Sequence, residues 1–272
     1  MAELSGLRAL VTGGSSGIGA AIARALAARG CDLVLTARRK PQLAEVAASC
    51  HGVHVDLVTA DLGADFGPAA VWSAATTTGP IDILINNAGF GAFRAFARTE
   101  ATRDAEMIQL NIASLVELSK RFVAQDRPRG YLVNIASIGA YQAVPNMALY
   151  AASKAFVRNF TEGLHDELRG SALSATCICP GGTKTAFHEA AGAGDYSWLA
   201  NASMMTAERV AEISIRAMLA RRRTVIPGWI NKLSCFGVRF VPRRFASWLS
   251  GRILGKPKLV LPPRASDGGA AA

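Results

Sequence analysis

The sequence has no run of about 20 uncharged apolar residues, the length a helix needs to cross a bilayer, and no signal peptide stands before its first apolar run at Leu7. Membrane-spanning and secretory readings are set aside, and a cytoplasmic location is expected. Cysteines are few and odd in number: Cys31, Cys50, Cys177, Cys179 and Cys235. Cys177 and Cys179, two apart in a strand-like run, share a face and read as small buried hydrophobes. A Cys-x-Cys pair without a second ligand pair is not a metal site, so reduced thiols and no metal are expected. Charged residues make up only 18% and hydrophobic ones 50%, which excludes extensive disorder and allows a sizeable core.

Acidic residues are missing from 221–266, a stretch that holds eleven Lys and Arg. The remainder carries 19 basic and 20 acidic residues, a formal charge of −1. The net charge of +10 therefore belongs to one C-terminal segment. A nucleic-acid partner, which would rest on overall basicity, is not expected.

What is present alternates. Apolar runs at 7–12, 32–37, 53–60, 81–86, 130–136, 173–179 and 223–227 read as strands. Helical patterns at 20–29, 41–50, 64–77, 101–126, 148–169 and 206–221 lie between them. Strands rich in Val, Ile and Leu that alternate with helices imply an α/β chain with a parallel sheet of about seven strands covered on both faces. No internal repeat and no dividing linker is found, so a single doubly wound domain is expected.

The first strand runs into Thr12-Gly13-Gly14-Ser15-Ser16-Gly17-Ile18-Gly19. Glycines at a first βα junction let the backbone turn tightly and approach a pyrophosphate resting on the free N–H groups of the helix start. The second strand ends Ala37-Arg38-Arg39, where NAD-preferring folds carry an acid for the ribose 2′-hydroxyl. Ala37 leaves space and Arg38 offers a charged fork, which predicts NADP(H) over NAD(H); a solvated basic cluster is the plainer alternative. Asp61-Leu62 closes the third strand, with a carboxylate for an adenine amino group or for a helix N-cap. Asn86-Asn87-Ala88-Gly89 closes the fourth, with small residues suited to a flat cofactor and amides able to lock adjacent strands. Further on, Tyr150 and Lys154 are four apart on a helical segment and share a face. A nearby ammonium lowers a phenol's pKa from about 10 and makes it usable as a general acid or base.

Together these residues resemble the short-chain dehydrogenase/reductase family, in the branch with a TGxxxGxG glycine motif and a YxxxK pair, and within it reductases of 3-oxoacyl or hydroxysteroid type. The resemblance spans about residues 5–228. It implies a Rossmann-type fold and places Gly13, Ser15, Ser16, Gly17, Ile18 and Gly19 at the cofactor phosphates. Arg38 and Arg39 fall at the 2′-phosphate, Asp61 and Leu62 at the adenine, and Asn87, Ala88 and Gly89 along the adenosine ribose. The catalytic tetrad maps onto Asn111, Ser137, Tyr150 and Lys154, with Tyr150 and Lys154 also touching cofactor. Pro180, Gly181, Thr183 and Thr185 match the loop that holds the nicotinamide carboxamide, with Gly182 and Thr183 where Pro and Val are frequent. Homodimers or homotetramers through the helices near 101–126 and 148–169 are implied as well.

Residues 186–205 correspond to the family's lid, and Phe187, Tyr196, Trp198 and Met204 are candidates either for an apolar pocket or for plain core packing. Beyond it, Trp229, Ile230, Leu233, Phe236, Phe240 and Val241, then after Pro242 Phe245, Trp248, Leu249 and Ile253, recur at helical spacing among Lys232, Arg239, Arg243, Arg244 and Arg252. This basic amphipathic extension, 229–261, suits an anionic membrane surface, a substrate-channel flap or a subunit contact. Residues 1–228 are expected as the cofactor-binding and catalytic domain, and 262–272 as a disordered tail. The function expected is hydride transfer between NADP(H) and an apolar ketone or secondary alcohol. The competing class is a non-catalytic NADP(H)-binding module at membranes, against which an intact tetrad argues.

Overall fold

The computed structural model describes residues 3–125, 127–183 and 204–253. Seven parallel strands form one sheet: β1 (Arg8–Thr12), β2 (Asp32–Ala37), β3 (Val55–Thr59), β4 (Ile83–Asn86), β5 (Gly130–Ile135), β6 (Leu173–Ile178) and β7 (Thr224–Val225). Their spatial order is β3-β2-β1-β4-β5-β6-β7. The direction of winding reverses between β1 and β4, where Leu10 pairs with Leu84. In open parallel sheets the crevice at such a reversal, beyond the carboxyl ends of the strands, is where a ligand can lie.

Side chains alternate along each strand, and the two sets build two apolar layers. Leu10, Val34, Leu84 and Leu132 face α3 (Gly67–Thr76) and the helix α5 (Ser114–Val123), meeting Val71, Trp72, Leu118 and Phe122. Val11, Leu33, Ile85 and Val133 face the other way, onto Ile22 and Leu26 of α1 (Gly17–Ala27) and Ile215 and Met218 of α7 (Ala207–Leu219). The all-apolar strands of the sequence are thus explained, since both faces are covered. The helix α2 (Lys40–Ala48), like α3, starts with a proline in its first turn, where the missing N–H costs nothing.

Two differences from the sequence expectation have local causes. Of the helices expected near 101–126, α4 (Ala101–Ile108) and α5 are joined without a break by a π-helical turn, Gln109–Ala113, which the sequence pattern does not mark and which carries Asn111 inward. The last strand, β7, is two residues long because the chain turns at Pro227-Gly228, with Gly228 at φ +87°, into helix α8 (Trp229–Gly237). A 3-10 turn, Val238–Phe240, then leads to α9 (Arg243–Ile253). Among the described residues no helix is long and apolar enough to cross a membrane.

Candidate active site

The glycine turn is shaped by contacts that exclude side chains. Gly13 has φ +65° and Gly17 φ +57°, in the region where a Cβ is strained. A Cβ on Gly19 would lie 2.3 Å from the Gly13 carbonyl oxygen and 2.5 Å from Asn87 Nδ2. The start of α1 therefore packs directly on the turn and on the end of β4. Ser16, extended at φ −166°, precedes α1 without a side-chain cap, and the first turn holds no acid. Its free N–H groups are left to an anion.

Thr12 ties β1 to the β4 loop. Its hydroxyl donates to the Ile85 carbonyl (3.1 Å) and accepts from the N–H groups of Asn87 (2.9 Å) and Ala88 (3.0 Å). Asn87 Nδ2 donates back to the Thr12 carbonyl at 3.0 Å. One residue earlier, Asn86 Nδ2 donates to Asn134 Oδ1 (2.9 Å), and Asn134 Nδ2 to Thr161 Oγ1 (2.9 Å). Strands β4 and β5 and the helix α6 (Ala148–Glu167) are clamped by this buried chain, as the paired asparagines suggested.

A cavity of about 670 Å³ lies over the strand ends. Gly13, Ser15, Ser16, Gly17 and Ile18 line one end with Arg38, Arg39, Asp61 and Leu62; Asn87, Ala88 and Gly89 follow, then Ser137, Tyr150, Lys154, Pro180, Gly181 and Thr183. Gly19 is packed beneath the turn rather than on the wall, and Thr185 lies outside the described residues. So do Phe187, Tyr196 and Trp198, while Met204 is on the cavity wall. At the end near the glycine turn Arg39 Nη2 donates to Ser16 Oγ at 2.9 Å, and Arg38 Nη1 is 3.7 Å from Asp61 Oδ2. Asp61 is not the helix cap: its Oδ1 accepts from Gly63 N at 2.8 Å, closing a local turn, and α3 begins only at Gly67.

The four tetrad candidates meet around two glycines. A Cβ on Gly89 would lie 2.8 Å from Asn111 Oδ1 and 3.5 Å from Lys154 Nζ. One on Gly139 would lie 3.5 Å from Ser137 Oγ and 4.0 Å from the Tyr150 ring. Ser137 Oγ accepts from Gly139 N at 3.1 Å and so caps the 3-10 turn Ile138–Tyr141. Lys154 is buried, with Nζ donating to the Ile135 carbonyl at 2.9 Å and lying 5.8 Å from the Tyr150 ring centre. Burial pushes its ammonium down to about 8. Asn111 sits behind the wall and uses its amide fully: Oδ1 accepts from Phe90 N (3.1 Å), and Nδ2 donates to the Phe90 carbonyl (3.0 Å) and Ser153 Oγ (3.1 Å).

The sequence reading did not single out Asn231. It is 2% exposed, lines the cavity, donates to the Pro227 carbonyl at 3.0 Å and presses on Gly181. Ile230, Ser234, Ser250 and Ile253 line the same end, so both C-terminal helices wall the cavity. The signal was a small-polar face, Asn231 and Ser234, within a segment read only for its apolar and basic residues. All five cysteines are free and buried, with Cys177 and Cys179 Sγ 3.7 Å apart.

The sequence model of the family described as short chain dehydrogenase matches residues 8–196. A putative ketoacyl reductase of the granaticin polyketide synthase of Streptomyces violaceoruber is 35% identical over 189 residues, covering 66% of this chain and 69% of that one. A short-chain dehydrogenase from Sphingobium yanoikuyae, solved in complex with NADPH, matches with a TM-score of 0.75 at 32% identity, over 86% of this chain and 93% of that one. A short-chain dehydrogenase/reductase from Burkholderia phymatum, solved in complex with NAD, matches with a TM-score of 0.76 at 25% identity, over 88% and 94%. These neighbours hold different nicotinamide cofactors, so the likeness supports the cofactor class and not its 2′-phosphate. The chain belongs to the short-chain dehydrogenase/reductase family of oxidoreductases, which act on CH–OH and ketone groups with a nicotinamide cofactor.

Proposed function

We propose that this oxidoreductase is an NADP(H)-dependent reductase of apolar, lipid-like ketones, of 3-oxoacyl, steroid or similar type, able to run the same chemistry backwards on secondary alcohols. The observation that carries the reading is the gathering of Ser137, Tyr150 and Lys154 on one wall of a single cavity, with Asn111 directly behind it. When bound, the nicotinamide cofactor supplies or takes up the hydride.

The chain's own residues do the rest. Gly13 and Gly19 have no room for a Cβ, and the uncapped start of α1 would hold a pyrophosphate through its N–H groups. Asn87, Ala88 and Gly89 would follow the adenosine ribose, and Pro180, Gly181, Thr183 and Thr185 the carboxamide. Tyr150 hands its phenolic proton to the developing alkoxide in reduction and removes it in oxidation. The buried Lys154 ammonium stabilises the phenolate that Tyr150 becomes. Ser137 accepts from Gly139 N, which leaves its own proton to donate to the substrate oxygen where negative charge grows. Asn111, its amide spent on Phe90 and Ser153, keeps the β4 loop and α6 in register.

Arg38 and Arg39 at the adenosine end, with no acid closing β2, support NADP(H). Asp61 is within 3.7 Å of Arg38 and can bond the adenine amino group with its remaining acceptor capacity. Phe93, Val144, Met147, Met204, Ile230 and Ile253 line the substrate end and favour an apolar molecule. Residues 1–228 would act as the cofactor-binding and catalytic unit, closed by 229–253. Exposed Ile108 and Phe156 suit a homo-oligomer through α4 and α6, and the buried thiols suit a reducing cytoplasm.

The test is NADPH oxidation against a panel of apolar ketones, repeated with NADH and with Tyr150→Phe. Turnover with NADPH, lowered by about 10²- to 10⁴-fold in the variant, is the expected result. Tight NADPH binding without turnover of any carbonyl or alcohol would sink the reductase reading, and full activity in Tyr150→Phe would sink the mechanism.

A further inference from the structure

Helix α8 has three faces, and the reductase reading uses one of them. Ile230, Asn231 and Ser234 look into the large cavity. At about 100° per residue, Lys232 and Cys235 fall on a second face, joined by Arg239 of the following turn; these line a separate cavity of about 620 Å³. Trp229, Leu233 and Phe236 point away from both and are 76%, 62% and 53% exposed. Phe240, Phe245 and Trp248 continue this exposed ridge onto the 3-10 turn and α9.

The second cavity is cationic. Arg158, Arg222, Arg223, Lys232 and Arg239 line it against a single acid, Glu162. Arg223 spans Glu162 (3.8 Å) and Asp166 (3.3 Å), while Arg222, Lys232 and Arg239 make no ion pair among the described residues. The Arg158 guanidinium lies over the Tyr141 ring at 4.4 Å, and its Nε is buried without a hydrogen-bond partner among those residues. A cavity with this surplus of donors suits a phosphate ester. Directly beside it runs a ridge of aromatic side chains left exposed among the described residues, and α9 adds Arg243, Arg244 and Arg252 around that ridge.

We infer that α8 and α9 seat the protein on an anionic bilayer, with the aromatic ridge in the lipid boundary and a phospholipid headgroup phosphate in the cationic cavity. Charge selects this occupant over a second copy of the chain. A two-fold contact would bring the same cations face to face, and 221–266 contains no acid to offset them. Basic residues near an anionic leaflet and apolar rings at its boundary contribute together to such binding. Ser234, Ser250 and Ile253 put part of the wall of the large cavity on the same two helices, so a lipid-borne ketone could pass from the bilayer to Tyr150. That last step rests on the reductase reading; the docking does not.

The experiment is flotation of the full chain with vesicles of phosphatidylcholine alone and of phosphatidylcholine mixed with phosphatidylglycerol. Binding to the mixed vesicles only, weakened by added salt, is expected. Lys232→Gln with Arg239→Gln should lower the affinity by on the order of 30-fold, and Trp229→Ser with Phe236→Ser should abolish flotation. NADPH affinity, measured separately, should be unchanged in both, which shows that the fold is intact. Failure to float with mixed vesicles, or flotation indifferent to both pairs, would overturn the inference. So would inorganic phosphate or glycerol phosphate binding at Lys232 and Arg239 without vesicle binding, or a ridge variant that only turns an oligomer into monomers. Absence of ketone turnover, by contrast, would leave the flotation result standing and count only against the proposed reaction.

Discussion

The side-chain amide of Asn231 occupies the space in which a side chain on Gly181 would begin: a Cβ there would lie 2.4 Å from Nδ2 and 2.6 Å from Oδ1. Asn231 belongs to α8 and Gly181 to the loop proposed to hold the carboxamide, so the C-terminal helix and that loop are in contact. Gly181→Ala must displace Asn231 and with it the start of α8. We expect it to destabilise the fold by about 1–3 kcal/mol and to weaken NADPH binding. Asn231→Ala in the same chain should recover part of both losses, because the clash is removed. Urea unfolding and NADPH titration of the two single variants and the double variant give the coupling, and strict additivity would refute the contact.

Lys154 makes stability and activity depend on pH in a defined direction. Its ordinary pKa of 10.5 is pushed down to about 8 by burial. Below pH 8 both folded and unfolded chains carry the proton, and the full cost of burying the charge is present. Between 8 and 10.5 the unfolded chain still binds a proton that the folded chain has released, so this group's contribution to stability rises with pH, by at most about 3 kcal/mol. Lys154→Met should lack that rise, which urea unfolding of both proteins at pH 7 and pH 9.5 would detect. Ketone reduction should run the opposite way and decline as pH climbs through about 8, where the ammonium proposed to support Tyr150 is lost. A pH profile of kcat/KM that stays flat to pH 10 would contradict this.

Arg38 is 64% exposed and, at 3.7 Å from Asp61, makes a single loose pair among the described residues. Such a pair contributes about 0–1 kcal/mol, so Arg38 can turn to a 2′-phosphate at little cost. Arg38→Ala should raise the KM for NADPH by about 10- to 100-fold, the worth of a charge-assisted hydrogen bond, and leave the KM for NADH nearly unchanged. Equal effects on both cofactors would mean that Arg38 serves the fold rather than the phosphate. Arg39, bonded to Ser16 Oγ, is expected to affect both cofactors, because its loss loosens the glycine turn.

The parts of the molecule legible in the sequence are those with short-range patterns. Short apolar runs rich in Val, Ile and Leu, set between helical patterns, named the strands, and the turn Thr12–Gly19 named the first βα junction. Tyr150 and Lys154 were legible because one helix turn brings them together. What escaped depends on approach between distant segments. Nothing local says that Asn231 meets Gly181, or that Asn111 spends its amide on Phe90 and Ser153 across 21 and 42 residues of sequence. The π turn around Asn111 escaped because it is an offset of one residue within a continuous helical pattern. The Asp61 turn escaped because a carboxylate before a helical segment fits an N-cap and a local turn equally well. The C-terminal segment was read as two basic amphipathic helical stretches, and only the fold separates the cavity-lining, cationic and exposed faces.

Asn134 offers the last test, of the clamp beneath the site. It is fully buried, accepts from Asn86 Nδ2 and donates to Thr161 Oγ1, both at 2.9 Å, and so joins β4 and β5 to α6, the helix that carries Tyr150 and Lys154. Asn134→Ala removes one donor and one acceptor from a dry environment. Asn86 Nδ2 keeps Ser119 Oγ at 3.1 Å, and Thr161 keeps the Val157 carbonyl, so the loss is partial. A cost of about 2 kcal/mol is expected, in line with polar groups left partly unpaired plus a small void. Because the clamp spaces α6 from the strand ends, kcat should fall more than the KM for NADPH rises, whose proposed site is built mainly on β1, β2 and β4. A variant with lowered stability but unaltered kcat would show that α6 is positioned by its apolar packing, by Val157 and its neighbours, rather than by the asparagine chain.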